Sequence, residues 1–241
     1  KYLKELFSHS KEHPNGWGIA VFNGNIINVE KEPVPAYKSR YLSERLKNTI
    51  EVRSMMAHIR LATKGHMEYV NTHPFMEQDI SGRTWVLIHN GTVFDSKILS
   101  KYSYVQRGRT DSERILFYIV DCINRSTLKN NRPLYEYERF NIVEEVINQI
   151  TPNNKINLMI YDGELFYVHK NYRKGLYRKK SGSSVLFATV PLDKDRWEEF
   201  PLNTLEAYKD GRKLYTGLQH DHEYIDDPED MEYIYLDYSE L

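Results

Sequence analysis

Two helical stripes interrupt a chain that otherwise reads as strands, and this order limits the folds open to it. Ile115, Leu116, Ile119, Val120 and Ile123 lie on one helical face, and a second helical segment runs from about Leu134 to Ile150. Before and after them come short β-rich segments: Trp17–Phe22, Ile26–Val29, Ser54–Leu61 and Trp85–His89 on one side, then Asn157–Tyr161, Leu165–His169, Val185–Thr189, Thr204–Tyr208 and Lys213–Tyr215 on the other. Strands, two central helices and more strands predict an α+β architecture with helices packed between or against sheets.

Turn chemistry joins these segments. Asn23-Gly24-Asn25 turns the first strand into the second, and Asp162-Gly163 and Asp210-Gly211 close later hairpins. Asn90-Gly91 is placed for a tight hairpin from the strand ending at His89 into Thr92-Val93-Phe94. A helix is expected from Ser39, its cap, to Ile50, with Leu42, Leu46 and Ile50 on one face. Thr110 opens the first central helix, and Glu113 three residues on suits a capping box.

With 241 residues and 40% hydrophobic content the chain can bury a sizeable core, and no linker divides it. One domain over 1–216 is expected, followed by an acidic tail over 217–241. There Asp221, Glu223, Asp226, Asp227, Glu229, Asp230, Glu232, Asp237 and Glu240 meet no Lys or Arg. Such a run reads as a solvated extension, although Tyr224, Tyr233, Tyr235 and Tyr238 give it a means of docking.

A net charge of -1, with both signs mixed, removes the electrostatic footprint of a nucleic-acid binder. The apolar runs fall far short of the roughly 20 residues a membrane span needs. One cysteine forbids an intrachain disulfide, so a cytoplasmic location is expected. Cys122 lies mid-helix beside the apolar stripe and reads as packing. No G-x-S-x-G elbow is present. His58, His73 and His89 could converge from neighbouring strands, and His220-Asp221-His222 lies in the tail, yet no two of these have the i, i+4 spacing of a zincin; neither a metal nor another cofactor is expected.

Four polar elements in fixed order carry the chemistry: His58-Ile59-Arg60-Leu61-Ala62-Thr63, Asn71-Thr72-His73-Pro74-Phe75, His89-Asn90-Gly91 and Thr110-Asp111-Ser112-Glu113. Arg60 offers a planar fork for a free carboxylate, Asp111 an acceptor for an ammonium group, and Asn90 with the Gly91 backbone a pair of donors for a developing oxyanion. Each has an ordinary reading too: a strand-end arginine in a salt bridge, an acid at a helix start, and a turn dipeptide.

In order and spacing these elements resemble the class II glutamine amidotransferases, most closely the stand-alone branch. A Gly16-Trp17-Gly18 strand and the late Ala188-Thr189-Val190-Pro191-Leu192 before Trp197 extend the likeness over most of the chain. The resemblance implies the four-layer αββα sandwich of N-terminal-nucleophile hydrolases. It implies that Arg60 holds the substrate α-carboxylate, Asp111 its α-ammonium group, and Asn90 with Gly91 the oxyanion, while Thr63 and His73 line the pocket. The chain departs from the family at Leu61, where an aromatic is usual, and at Lys64, often His.

The family's nucleophile is an N-terminal cysteine exposed by removal of the initiator Met. This chain begins at Lys1, so a short upstream segment starting Met-Cys is expected. The implied activity is cleavage of the γ-amide of glutamine or another γ-glutamyl compound through a cysteinyl thioester. Only the tail follows the predicted body, so hydrolysis rather than transfer within this polypeptide is expected. A synthase subunit or a second copy of the chain are the macromolecular partners to consider. The alternative is a catalytically inactive subunit that binds γ-glutamyl ligands or regulates a partner, which the residue at the native N-terminus distinguishes.

Overall fold

The computed structural model describes residues 1–24, 26–62 and 66–226. Alternation along two strands sets its layers. In β1 (Trp17–Asn23), Trp17, Ile19 and Val21 face one way, toward Phe7, Ala36 and Leu42. Ala20 and Phe22 face the other way, toward Val86, Ile88 and Tyr161. In β5 (Thr84–His89), Val86 and Ile88 meet that same cluster, while Trp85 and Leu87 turn to Ile115, Ile119 and Val143. A period of two that is apolar on both faces means a sheet covered on both sides.

Four layers result. The helices α1 (Tyr2–Ser8) and α2 (Arg40–Arg45) cover the antiparallel sheet β2-β1-β3, where β2 is Ile26–Glu32 and β3 is Ser54–Ile59. Behind it lies an antiparallel sheet of order β12-β11-β7-β6-β5-β4, with β4 Phe75–Gln78, β6 Asn157–Tyr161, β7 Phe166–Lys170, β11 Glu206–Lys209 and β12 Arg212–Thr216. The helices α4 (Asp111–Asn130) and α5 (Glu136–Ile150) form the outer layer, and the short α3 (Lys97–Ser100) leads into α4. This is the four-layer αββα sandwich that the resemblance implies. A smaller sheet, β10-β8-β9, with β8 Tyr177–Ser181, β9 Ser184–Ala188 and β10 Glu198–Glu199, packs through Phe187 and Phe200 on Val168 and Tyr208.

The expected stripe on α4 is buried throughout. At roughly 1.5–3 kcal/mol for each fully buried apolar side chain, it is the main anchor of that layer. Thr110 caps the helix by accepting the Glu113 N–H at 3.3 Å. The Glu113 carboxylate does not complete a capping box: it accepts from Arg107 and Gly108 N–H at 3.0 and 2.8 Å, folding the preceding loop onto the helix start. On α5, Arg139 reaches Asp162 at 2.7 Å and Glu164 at 2.6 Å, a buried tie to the β6–β7 turn.

Each tryptophan lies in or beside a different sheet, and each indole donates to a carboxylate: Trp17 to Glu32, Trp85 to Asp79, and Trp197, next to β10, to Asp193.

The helix expected over Ser39–Ile50 is shorter. Ser39 caps it as predicted, accepting the Leu42 N–H, but α2 ends at Arg45, and Leu46 and Ile50 pack from irregular chain. The stretch read as a solvated tail is docked as far as it is described. His220 N–H donates to Asn203, Tyr224 N–H to Asn171, and the Tyr224 ring stacks on Phe94 at 5.5 Å. Tyr233, Tyr235 and Tyr238 lie outside the described residues. No helix among the described residues is long and apolar enough to cross a membrane.

Candidate active site

Arg60 leaves the end of β3 with its backbone still paired to the chain entering β1. Its N–H donates to Gly16 at 2.8 Å and its carbonyl accepts from Asn15 at 3.0 Å. The side chain is buried, and Nη1 donates to the His66 carbonyl at 3.2 Å. Asn71 donates to that same carbonyl at 3.1 Å. Its Oδ1 accepts the Arg109 N–H at 2.7 Å, one residue before the cap of α4. Asn71 is fully buried and joins three of the polar elements in one step.

Asp111 opens α4. Its Oδ2 accepts the Val93 N–H at 2.7 Å, and its Oδ1 accepts from Ser112 N at 2.8 Å. The acid therefore has the structural place expected of it, at the positive end of a helix and fixed by backbone donors. Those bonds tether the chain just past Asn90-Gly91.

The hairpin expected at Asn90-Gly91 is not formed. A type I′ turn needs positive φ at both central residues, and neither residue has it. Instead β5 keeps its register against β6: His89 pairs with Leu158, Asn90 N–H donates to Asn157 at 2.9 Å, and Thr92 bridges Lys155. Pairing with a strand remote in sequence overrides the local turn signal. Gly91 is required for a different reason, since an added Cβ would overlap the Lys155 carbonyl oxygen. The Asn90 amide is oriented as well, its Oδ1 accepting the Tyr172 hydroxyl at 3.0 Å.

Three histidines fill the space between these parts. The His58 and His73 rings lie 4.2 Å apart. Burial, and then the neighbouring positive groups led by Arg60, holds His58 down to about 3. Burial drives His73 well below its ordinary value and lowers His89 too. All three are neutral imidazoles near pH 7. His89 has partners on both nitrogens: Nε2 faces the Lys155 carbonyl at 3.2 Å, so Nε2 carries the proton and Nδ1 accepts from Ser112 Oγ at 3.0 Å. Among the described residues neither nitrogen of His73 has a hydrogen-bond partner, nor has His58 Nδ1. Among the described residues no three His, Cys, Asp or Glu side chains gather into a metal-binding group.

The Gly-Trp-Gly strand is explained by proximity. A Cβ on Gly18 would overlap the His73 carbonyl, and Gly16, at φ 137°, lets the chain pass Thr72. Thr63 lies outside the described residues, with Lys64 and Gly65. Cys122 is half-buried against the core, and burial pushes its thiol up, away from nucleophilic use.

Of the expected residues, Asn90, Gly91 and Asp111 are joined through the Val93 and His89 contacts, and Arg60 and His73 adjoin them through Asn71 and the histidine rings. Sequence reading did not single out Asn71, although it stands in the Asn-x-His-Pro element. It also missed Ser112, Lys155 and Tyr172. Tyr172 carries no local signal, because it comes from a loop 82 positions away from Asn90.

The model for class II glutamine amidotransferases matches residues 3–181. An uncharacterised protein of Methanocaldococcus jannaschii is 28% identical over 88% of this chain and 66% of its own length, so the chain spans just under two thirds of that relative. A glutamine–fructose-6-phosphate aminotransferase (isomerizing) of Bacillus spizizenii is 35% identical over 44% of this chain and 17% of its own. In three dimensions, a predicted glutamine amidotransferase from Pseudomonas aeruginosa superposes with a TM-score of 0.62 at 20% identity, covering 83% of this chain and 87% of that one. The family match spans the strand after Gly16, the Arg60 and Asn71 elements, the β5 end and the start of α4, all parts of the site just described, and the chain belongs to the class II glutamine amidotransferases.

Proposed function

We propose that the protein hydrolyses the γ-amide of glutamine or of another γ-glutamyl compound, through a cysteinyl thioester whose sulfur belongs to an N-terminal cysteine preceding Lys1. Cys122 does not serve, for the reasons of burial and helix position given above. In this reading the thiolate adds to the γ-carbonyl carbon, and the cysteine's own α-amine takes the thiol proton. Asn90 Nδ2 and the Gly91 N–H hold the oxyanion. Its collapse expels ammonia or an amine, which carries away the proton held on the α-amine. Water then attacks the thioester, giving glutamate and regenerating the thiol. Arg60 faces the α-carboxylate, Asp111 the α-ammonium group, and His73 and Thr63 line the pocket.

The observation that carries the proposal is the bridging role of Asn71. It links the Arg60 segment to the start of α4, whose Asp111 in turn holds the chain beyond Asn90-Gly91. A cation, an anion and an oxyanion cradle on one short network suit a zwitterionic glutamyl head. The test is glutamate release by the full-length protein across a panel of γ-glutamyl compounds, with and without candidate partner proteins, beside labelling with an electrophilic glutamine analogue. Release without any acceptor, with the label on the N-terminal cysteine, is the expected result. Label on Cys122, or glutamine binding without turnover, would sink the proposal, the second outcome favouring a ligand-binding subunit.

A further inference from the structure

Asn90 can serve an oxyanion only if its amide is held the right way round. A carboxamide rotated by half a turn presents its oxygen, which would repel the developing negative charge. Among the described residues one contact decides the matter: the Tyr172 hydroxyl donates to Asn90 Oδ1 at 3.0 Å, leaving Nδ2 as the donor on the other side. Burial, and then the nearby Asp226 carboxylate, raises the Tyr172 phenol above its ordinary value, so it remains a donor at any working pH.

The loop carrying Tyr172 is built around this contact. Any side chain at Gly175 would overlap the Tyr172 ring at Cζ, the atom that bears the hydroxyl. The Gly175 carbonyl accepts the Asn157 amide at 3.0 Å, and Asn157 is the residue whose own carbonyl holds the Asn90 N–H. Asn171, fully buried, accepts the Ile156 N–H at 2.8 Å and donates to Asn154 at 2.8 Å, which pins the start of the loop. The Lys155 ammonium lies 4.2 Å from the Tyr172 ring centroid and is itself held by Asp226 at 2.8 Å. Lys155 also supplies the carbonyl packed against Gly91, so the two proposed oxyanion donors are set by the chain entering β6 and the loop leaving β7.

We propose that Tyr172 is a positioning residue for the reaction: it fixes the Asn90 carboxamide so that Nδ2 faces the reacting carbonyl, and Gly175 is glycine to let it do so. The proposal rests on the oxyanion role given to Asn90. Tyr172 does not touch substrate, so its loss should act on turnover and leave binding alone.

The test is a double-mutant cycle in the full-length protein, reading kcat and KM for whichever γ-glutamyl amide is hydrolysed. Tyr172→Phe keeps the ring and removes the hydroxyl. It is expected to lower kcat about 10-fold, the worth of one hydrogen bond, with KM unchanged within about twofold. Asn90→Ala is expected to lower kcat on the order of 10²–10³-fold. In that background Tyr172→Phe should change kcat by less than about twofold, because its target is gone. Gly175→Ala, with the phenol intact but displaced, should reproduce the Tyr172→Phe defect. The contact also has a readout that needs no turnover: the Asn90 side-chain amide ¹⁵N resonance should shift in Tyr172→Phe. Wild-type kcat in Tyr172→Phe, effects that multiply in the double variant, or an unmoved Asn90 resonance each overturn the proposal. Full kcat in a folded Asn90→Ala protein is a different failure, removing the oxyanion assignment itself.

Discussion

The Asp111 carboxylate accepts the Val93 backbone N–H at 2.7 Å, so the first residue of a helix holds the chain two positions beyond Gly91. One acid thereby has a structural task and, in the proposed function, a substrate to recognise. Two substitutions separate them. Asp111→Ala leaves the Val93 and Ser112 N–H groups without their acceptor and is expected to cost about 1–3 kcal/mol of stability, measured by urea denaturation. Asp111→Asn keeps one of the two acceptor oxygens and loses the charge. It should cost less stability than Asp111→Ala while kcat/KM for γ-glutamyl substrates falls roughly 10- to 1000-fold.

Arg60 gives the complementary expectation. Arg60→Lys replaces a planar fork with a point charge and should lower kcat/KM by roughly 10- to 100-fold, mostly through KM. A γ-carboxamide lacking the α-carboxylate should be a poor substrate for wild type and lose little further with the variant. Equal losses on both substrates would mean that Arg60 serves only the fold.

Asn71→Ala tests the bridge between the elements. It removes a fully buried side chain and strands the Arg109 N–H, so a loss of about 2–3 kcal/mol is expected. For a chain of this size that corresponds to a fall in Tm of roughly 4–12 °C, readable by calorimetry. Unchanged stability would show that the loop and the strand end are held together by other contacts.

The buried histidines predict acid sensitivity. His58 and His169 are held down to about 3 and His220 to about 4, chiefly by burial, against an ordinary value of 6.5. Below 6.5 the unfolded chain binds protons that the folded one refuses. Their contribution is therefore whole above about 6.5 and is lost as the pH falls through the window toward 3. His58 and His169 each add a slope of about 1.4 kcal/mol per pH unit within their window, and the half-exposed His220 adds less. The His169–His220 pair can be followed singly: His169 Nδ1 faces the Ile156 carbonyl, and its Nε2 lies 3.0 Å from His220 Nε2. Urea midpoints should fall steeply from pH 6.5 to 4.5, and His169→Gln should flatten the dependence by about one imidazole.

Gly91→Ala places a methyl group against the Lys155 carbonyl. About 1–3 kcal/mol of destabilisation is expected from the overlap, with loss of kcat in whatever folds. The same change at Gly182, which has open space but a φ of 59°, should cost only backbone strain and leave turnover alone.

Much of the order of helices and strands was legible in the sequence because its signals are periodic. The α4 stripe and the strands around Ile19, Leu87 and Leu158 lie where alternation and helical spacing put them. At Asp210-Gly211 both residues have positive φ, as their turn requires. The failures came where partners are remote. Asn90-Gly91 carries a strong local turn signal, and β6, nearly seventy positions on, overrules it. Strands β4 and β8 are polar or mixed and were not expected at all; they exist through their neighbours. The site was visible as residue types in order, but the contacts that assemble it, Asn71 to Arg109 and Tyr172 to Asn90, join loops whose meeting depends on the whole topology.

The placement of the tryptophans gives each sheet its own fluorophore. Trp17 and Trp85 are fully buried in the two facing sheets, and Trp197 lies by the smaller third one. Keeping one indole at a time and replacing the other two by Phe would let each layer report its own loss of packing by emission wavelength. Coincident curves from all three would mean that the sandwich melts as one cooperative unit, and separated curves would identify which layer loosens first.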